Sequence, residues 1–254
     1  MDTAVYEYGC NIKRTGTSGS YSYGVPSAWA NRPVNFVSFW DACRFTNWMH
    51  NGQPTGLQDS ATTERGAYTL DGFDGRLGQD IGRNAGWRWA IASEDEWYKA
   101  AYYKGGGTNS GYWDYPTQSS TTQSNQVVNP DPGNSANYKV GDIQTIGAPY
   151  YRTIVGEFEN SASPYGTFDQ GGNVFEWNDT VTDYDGQNSY RGQRGGSYNY
   201  QIHHLWALHR SSIIPTNQNG VSGFRVVQAV PEPSSLIALA GGLVGLLGIR
   251  RRRV

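Results

Sequence analysis

The sequence predicts a loop-rich α+β domain with two main helices and short antiparallel strands. Its 254 residues include 33 Gly, 18 Tyr and 9 Trp but only 17% charged residues. This composition is typical of a core built from large aromatic side chains rather than from leucine-rich helices. Helix-start signals occur at Ser38 and Ser93. Gly, Ser, Thr and Asn dominate much of the remaining chain, and they favour ordered loops between short elements.

The first main helix is predicted from Ser38 to His50, before Gly52. Ser38-x-x-Asp41 is a capping-box pattern with Asp in place of the usual Glu or Gln. Apolar residues then recur at helical spacing, which gives the predicted helix a wide apolar face.

A short strand is predicted at 87–91, followed by the second helix. Ser93-x-x-Glu96 is a full capping box, in which each side chain binds the other residue's amide. We expect this helix to end at Lys104, where three glycines follow.

The other segments lack strong periodicity. Residues 1–31 read as a loop with at most one short strand, and residues 52–85 as a hairpin or an irregular insertion. Residues 105–136 are rich in Gly, Ser, Thr and Asn, and we interpret them as a long ordered surface loop.

Charge and cysteine content limit the function classes. The net charge of −2 provides no electrostatic reason to expect nucleic-acid binding. Cys10 and Cys43 are the two cysteines. They could form one disulfide in an oxidising compartment or remain unpaired and buried, and the sequence leaves both alternatives open.

The run FDQGGNVFEW, residues 168–177, carries the most specific signal. A carboxylate such as Glu176 between two aromatics is costly to bury unpaired. Glycines allow nearby carbonyls to turn toward one point, so a hard cation is one solution. Hydrogen bonds from Glu176 to a loop backbone are the alternative.

This run resembles the D-x-x-G-N-V-x-E-W core of the formylglycine-generating enzyme, or sulfatase-modifying factor, family. Four further segments are similar to family segments: P-V-N-F-V-S-F-W-D-A-C-R-F-T-N-W, W-A-I-A-S-E-D-E-W-Y-K-A-A, R-G-Q-R-G-G-S-Y and G-F-R. The resemblance implies a C-type-lectin-like fold.

The resemblance also implies calcium ligands. The positions that match one family calcium site are Asp169, Gly172, Val174 and Glu176, with two carboxylates and two carbonyls suited to a hard ion. A second calcium would use residues 137–138, Asn137 and Tyr138. No clear acidic partner for that site follows before Val155.

In the enzymes of this family, two cysteines after the R-G-G-S segment bind copper. The matching positions here are Tyr200 and Leu205, and oxygen ligands replace thiolates poorly for copper(I). We therefore expect neither copper nor oxidation of a substrate cysteine by that mechanism. We also expect no iron, because the extra helical domain that supplies histidines in iron-dependent relatives has no counterpart.

Other candidate residues lie near the lost cysteines. His203, His204 and His209 could bind a transition metal or act in catalysis, although adjacent histidines on a strand point to opposite faces. Arg194 and Arg210, like Arg225, could act in catalysis or ligand binding. Alternatively, these arginines pair with carboxylates and carbonyls to brace the loops.

The C-terminus has three parts in order: Val-Pro-Glu-Pro, an apolar run at 236–249, and four arginines. As a helix the run would span roughly 21 Å, short of a hydrocarbon core of roughly 30 Å. The order resembles a PEP-CTERM sorting signal. It implies a membrane-held intermediate, a sorting protease and delivery to the cell surface or matrix. An ordinary single-span C-terminal anchor is the alternative.

We therefore predict a domain at 1–229 and a sorting segment at 230–254. Export needs a signal peptide, and residues 1–5, MDTAV, have neither a basic start nor an apolar run. We expect an N-terminal part to be missing, the alternative being a genuine short form.

Three functions remain open from the sequence. The preferred one is an exported, diverged or non-catalytic module that presents aromatic residues to a glycan or protein. The second is a metal-dependent oxidative enzyme, and the third is a structural matrix protein.

Overall fold

The computed structural model describes residues 2–17 and 20–230. Within them the strands are β1 (Lys13–Thr17), β2 (Ser20–Gly24), β3 (Trp89–Ile91), β4 (Lys139–Val140), β5 (Ile143–Gln144), β6 (Phe175–Tyr184), β7 (Ser189–Arg194), β8 (Ser211–Ile213), β9 (Ser222–Phe224) and β10 (Val226–Gln228). The helices are α1 (Ser27–Ala30), α2 (Phe39–His50), α3 (Glu94–Tyr102) and a 3-10 turn (Ile202–Leu205). The predicted loop-rich α+β class with two main helices is confirmed.

The largest sheet has four strands in the order β8-β7-β6-β9. β6 is antiparallel to β7 and parallel to β9. The prediction of antiparallel strands is therefore wrong for this one pair, because the chain returns through a long connection before it enters β9. The register places Glu176 between Arg194 on β7 and Gly223 on β9, at the centre of the sheet.

Both capping boxes form as predicted. Ser38 accepts a hydrogen bond from the amide of Asp41, whose carboxylate accepts one from the Ser38 amide. Ser93 and Glu96 make the same exchange at the start of α3. These reciprocal bonds satisfy two of the amides that a helix start leaves without partners.

The predicted end of the second helix at Lys104 is wrong by two residues. Helix α3 ends at Tyr102, and Tyr103 has an extended backbone with ψ of 128°. Tyr103 pairs in an isolated bridge with Tyr112, and the Lys104 amide donates to the Gly111 carbonyl at 3.1 Å. The returning loop therefore extends the backbone before the glycines are reached.

The predicted aromatic core is confirmed. Phe39 packs edge to face against Trp40, Tyr68 and Trp177, with ring centroids 5.1, 6.4 and 6.1 Å away. The guanidinium of Arg191 lies 4.5 Å from the centre of the Phe39 ring, so the core also includes a cation–π contact. This cluster joins α2 to the central sheet.

The N-terminal prediction of at most one strand is wrong. β1 and β2 form a hairpin with Lys13 opposite Gly24. All ten of its residues are exposed, so no apolar alternation marks it in the sequence. Residues 52–85 form the irregular insertion, with one isolated bridge between Arg65 and Thr69. The long ordered loop at 105–136 is confirmed.

The described chain ends beside β3. β10 pairs with β3, and the amide of Ala229 donates to the Arg88 carbonyl at 3.0 Å. The apolar helix predicted at 236–249 lies outside the described residues. In the part of the chain that is described, no helix is both long and apolar enough to cross a membrane.

Candidate functional site

The buried carboxylate of Glu94 connects the start of α3 to the central sheet. It accepts hydrogen bonds from Arg194 Nε at 2.5 Å and Asn178 Nδ2 at 2.7 Å. Arg210 Nε lies 3.1 Å from the same carboxylate, with 67% of its side chain exposed. The sequence candidates Arg194 and Arg210 are therefore brought together as partners of Glu94.

Arg194 also holds the loop that follows the 3-10 turn. It is buried, and its Nη1 donates to the carbonyl oxygens of Ala207 and His209. One guanidinium therefore fixes both the start of α3 and the position of residues 207–209. The spacing of these residues in the sequence provided no sign of this connection.

The carboxylate of Glu176 is paired with Arg225. Arg225 donates from Nε and Nη2 to the two carboxylate oxygens, each at 2.6 Å, and Trp97 Nε1 donates to Oε2 at 2.5 Å. Such two-point pairing is the strongest geometry between an arginine and a carboxylate. A protein cation therefore already balances the charge of Glu176.

The other three predicted calcium positions lie around this pair. Asp169 accepts a hydrogen bond from the Gly156 amide at 2.8 Å. Burial raises the pKa of Asp169, whereas the Gly156 amide and Arg225 act to lower it. Gly172 and Val174 are buried. Arg225 engages both oxygens of Glu176, so a calcium ion at this site would have to share the carboxylate with a guanidinium. Calcium here stays a prediction, which calorimetric titration of the domain tests.

The second predicted calcium position includes an oxygen without a partner. Asn137 Oδ1 is buried and accepts no hydrogen bond. The Nδ2 of the same side chain donates to the Tyr151 carbonyl and to Asn173 Oδ1. The Tyr138 amide donates to Thr145 Oγ1. These partners are uncharged, so calcium at Asn137 and Tyr138 also stays a prediction.

The three histidines lie against one another. The ring centroids of His203 and His204 are 4.0 Å apart, and those of His204 and His209 are 4.4 Å apart. The expectation that His203 and His204 point apart on a strand is wrong. They lie in the 3-10 turn, where neighbouring side chains diverge less than on a strand. Among the described residues, no group of three or more His, Cys, Asp or Glu side chains could hold a metal ion.

The environment of His204 and His209 favours their neutral imidazoles. Burial, followed by His204, His203 and Arg194, lowers the pKa of His209 to about 4. Burial and His203 also lower the pKa of His204. His209 Nδ1 is buried without a hydrogen-bond partner. Protonation of this ring would therefore place an unpaired charge next to Arg194.

We expect the domain to lose stability as the pH falls from about 6.5 toward 4. In the unfolded chain the pKa of His209 is about 6.5, so the unfolded state binds a proton that the folded state excludes. The loss should be about 1 kcal/mol, after allowance for solvent screening of a partly exposed ring. Thermal melts of wild type and His209→Gln between pH 4.5 and 7 measure it. An unchanged pH slope in the variant would contradict the assignment.

The two positions that correspond to the family's copper cysteines have different roles here. Tyr200 packs edge to face against Phe175 and His204 at 5.0 and 4.7 Å. Leu205 is fully buried in a cluster with Tyr115 and Tyr138. A phenol and an alkyl side chain do not fit thiolate-bound copper(I).

The two cysteines are free, and both are buried. Of the alternatives that the sequence left open, the unpaired state is the one observed. Cys10 lies 3.2 Å from Thr3 Oγ1. Burial raises the pKa of Cys43 well above its ordinary value, so this thiol is a poor nucleophile at neutral pH.

Sequence reasoning missed a cleft of about 370 Å³ beside the 3-10 turn. It is lined by residues of two separate segments: Asp114, Tyr115, Ser120, Thr122, Trp206, Ala207 and Leu208. Trp206 and Leu208 are 45% and 89% exposed. The Trp206 indole N–H donates to the hydroxyl of Tyr115, so its orientation is fixed. The one available signal was the density of aromatics at 112–115.

Two family descriptions match the chain. Residues 4–230 match the sulfatase-modifying factor enzyme 1-like domain, and residues 229–253 match the PEP-CTERM protein-sorting motif. The second match indicates an exported protein that is sorted to the cell surface. A search of curated proteins found no match to this chain.

Solved structures resemble the fold at low sequence identity. CarF is 20% identical in sequence, and its structure aligns over 87% of this chain and 75% of CarF with a TM-score of 0.54. Treponema denticola variable protein 1 is 20% identical over 80% of this chain and 74% of its own, with a TM-score of 0.45. PvdO from Pseudomonas aeruginosa is 16% identical over 85% of this chain and 68% of its own, also with a TM-score of 0.45.

At 20% identity the likeness to CarF concerns the fold alone. The domain description, in contrast, covers nearly all of the described chain and includes the 168–177 run, the Arg194 segment and the closing Gly223-Phe224-Arg225. The chain therefore belongs to the sulfatase-modifying factor enzyme 1-like family.

Proposed function

We propose that this chain is an exported member of the family that binds carbohydrate and does not generate formylglycine. The observation that carries the proposal is the cleft beside the 3-10 turn, in which a half-exposed Trp206 is held in one orientation by Tyr115. A fixed aromatic ring loses little conformational entropy when a ligand packs on it, which favours affinity.

The chemistry of the cleft suits a sugar. The apolar C–H face of a pyranose packs on an indole ring, and its hydroxyl groups need both donors and acceptors. Asp114 supplies a carboxylate acceptor, and Ser120 and Thr122 supply hydroxyl groups that donate or accept. The exposed Leu208 extends the apolar side of the cleft.

The destination of the protein supports this ligand class. The sorting motif at 229–253 implies handling by a sorting protease. We propose that the apolar run at 236–249 holds the chain at the inner membrane until the tail is cleaved. The domain then reaches the cell surface or the extracellular matrix, where polysaccharide is abundant. The assignment of the fold as C-type-lectin-like belongs to the same proposal.

The residues at the two positions that match the family's copper-binding cysteines support a non-catalytic role. Tyr200 and Leu205 supply no thiolate, and the pKa of Cys43 is raised by burial. The oxidative alternative would have to use the stack of His203, His204 and His209. A purely structural matrix protein would need no ligand cleft.

The test is binding of soluble polysaccharides by affinity electrophoresis of the folded domain in gels that contain dextran, mixed-linkage β-glucan or homogalacturonan. We expect at least one polymer to retard wild type. The retardation of Trp206→Ala by that polymer should be at least tenfold smaller, because the stacking surface is removed.

Tyr184→Ala is the matched control, since Tyr184 is 50% exposed and lies outside the cleft. Its migration should equal that of wild type. Equal retardation of wild type and Trp206→Ala, or no retardation by any polymer, would overturn the proposal. Oxygen uptake with a cysteine-containing peptide in the absence of polysaccharide binding would favour the oxidative enzyme.

A further inference from the structure

A row of tyrosines runs along the surface from α3. Tyr98 and Tyr112 have ring centroids 4.8 Å apart, and Tyr112 and Tyr103 are 5.6 Å apart. Tyr103 and Tyr165 follow at 6.3 Å with nearly parallel planes. Tyr112 and Tyr165 are 46% and 52% exposed. We call these four residues the tyrosine ladder.

The ladder begins next to the cleft. Ala207 lines the cleft and belongs to the buried cluster against which Tyr98 packs. The backbone also connects the two features, because the amide of Ala207 donates to the carbonyl of Asp114 at 2.9 Å. Tyr112 of the ladder precedes Asp114 by two residues. A chain-like ligand that leaves the cleft on the side of residues 112–114 therefore meets aromatic rings.

The spacing of the ladder suits a polymer of sugars. Successive ring centroids are 4.8, 5.6 and 6.3 Å apart, so the four rings together form an aromatic surface longer than one sugar. The phenol hydroxyls can bind sugar hydroxyls while the rings contact C–H groups. A single small ligand would occupy only one or two of the four rings.

The charges beside the ladder favour an anionic polymer. Residues 97–113 include Lys99 and Lys104, and the carboxylates of Glu96 and Asp114 flank this segment. Glu96 is already paired with Arg83 at 2.5 Å. Both lysines are exposed. Lys99 Nζ lies 5.9 Å from the centre of the Tyr103 ring, and Lys104 Nζ lies 4.5 Å from that of Trp113. These contacts keep two ammonium groups at the aromatic surface.

We propose that the ladder is an extended binding surface for an acidic polysaccharide, one that bears uronate-type carboxylates. This proposal rests on the proposed function, since one sugar of the same chain occupies the Trp206 cleft. The sugar in the cleft makes hydroxyl contacts with Asp114, and the carboxylates of the following sugars lie near Lys99 and Lys104.

The test compares three probes by isothermal titration: a homogalacturonan hexamer, its methyl ester and the unesterified dimer. For wild type we expect the acidic hexamer to bind at least tenfold more tightly than the dimer, and more tightly than the neutral ester. Tyr112→Ala should remove the gain from chain length and weaken binding of the dimer far less than binding of the hexamer. Lys99→Gln with Lys104→Gln should remove the preference for the acidic hexamer and its salt dependence.

Tyr112→Phe is the conservative control and should retain most of the gain in affinity of the hexamer over the dimer. Thermal melts that match wild type establish that the variants fold. Equal affinity of wild type for hexamer and dimer, or an undiminished gain in Tyr112→Ala, would overturn the proposed role of the ladder. Neither result would affect the proposed role of the cleft. Loss of all binding in Trp206→Ala supports the cleft. Binding of none of the probes by wild type would overturn the ladder, whereas retardation by another polymer would still support the cleft.

Discussion

Gly172→Ala is expected to destabilise the domain by about 3 to 5 kcal/mol, through left-handed backbone strain together with a steric clash. Gly172 has φ of +80°, and a Cβ there would lie 2.1 Å from the carbonyl oxygen of Asn137. That oxygen cannot easily retreat, because it accepts a hydrogen bond from the Asn173 amide at 2.9 Å. In thermal melts the midpoint should fall by roughly 10 °C.

Gly186→Ala is the matched control for backbone strain. Gly186 also has a positive φ, +85°, but a Cβ there would meet no atom within 4 Å. It should cost only about 1 to 2 kcal/mol. If the two variants lost the same stability, the close approach of Gly172 to Asn137 would not be the cause.

Arg194→Met is expected to cost about 3 to 5 kcal/mol, because it leaves the buried carboxylate of Glu94 without its main counter-ion. The carbonyl oxygens of Ala207 and His209 lose their donor in the same variant. Urea unfolding measures the loss of free energy. Because residues 206–208 line the cleft, the variant should also weaken polysaccharide retardation at temperatures where it remains folded.

Arg210→Ala tests the same carboxylate from the solvent side. Arg210 is mostly exposed, and exposed ion pairs contribute only about 0 to 1 kcal/mol. We therefore expect a small loss of stability from this variant. A loss as large as that of Arg194→Met would mean that burial does not determine the strength of these two pairs.

The elements that the sequence predicted well are those with local signals. Both helix starts were correct because Ser38 with Asp41, and Ser93 with Glu96, bind each other across three residues. The end of α3 was predicted less well. It depends on the pairing of Tyr103 with Tyr112, and no local pattern in the helix encodes that pairing.

The candidate site was predicted only in part. The family motifs directed attention to Glu176 and to the residues after Arg194, but they did not reveal that Arg225 pairs with Glu176. The histidines were recognised as a cluster, yet their mutual packing depends on a 3-10 turn that sequence periodicity did not indicate. The cleft was missed because its residues come from two segments whose contact depends on packing.

By itself the sequence determined the family, the export signal, the aromatic core and the starts of both main helices. These follow from residue identities and from hydrogen bonds between near neighbours. Only the tertiary structure decided which charges pair and where a ligand can lie. Arg194 meets Glu94 across 100 positions, and Trp206 meets Tyr115 across 91. Such contacts form when distant segments pack together and exclude water, and no short stretch of sequence specifies that packing.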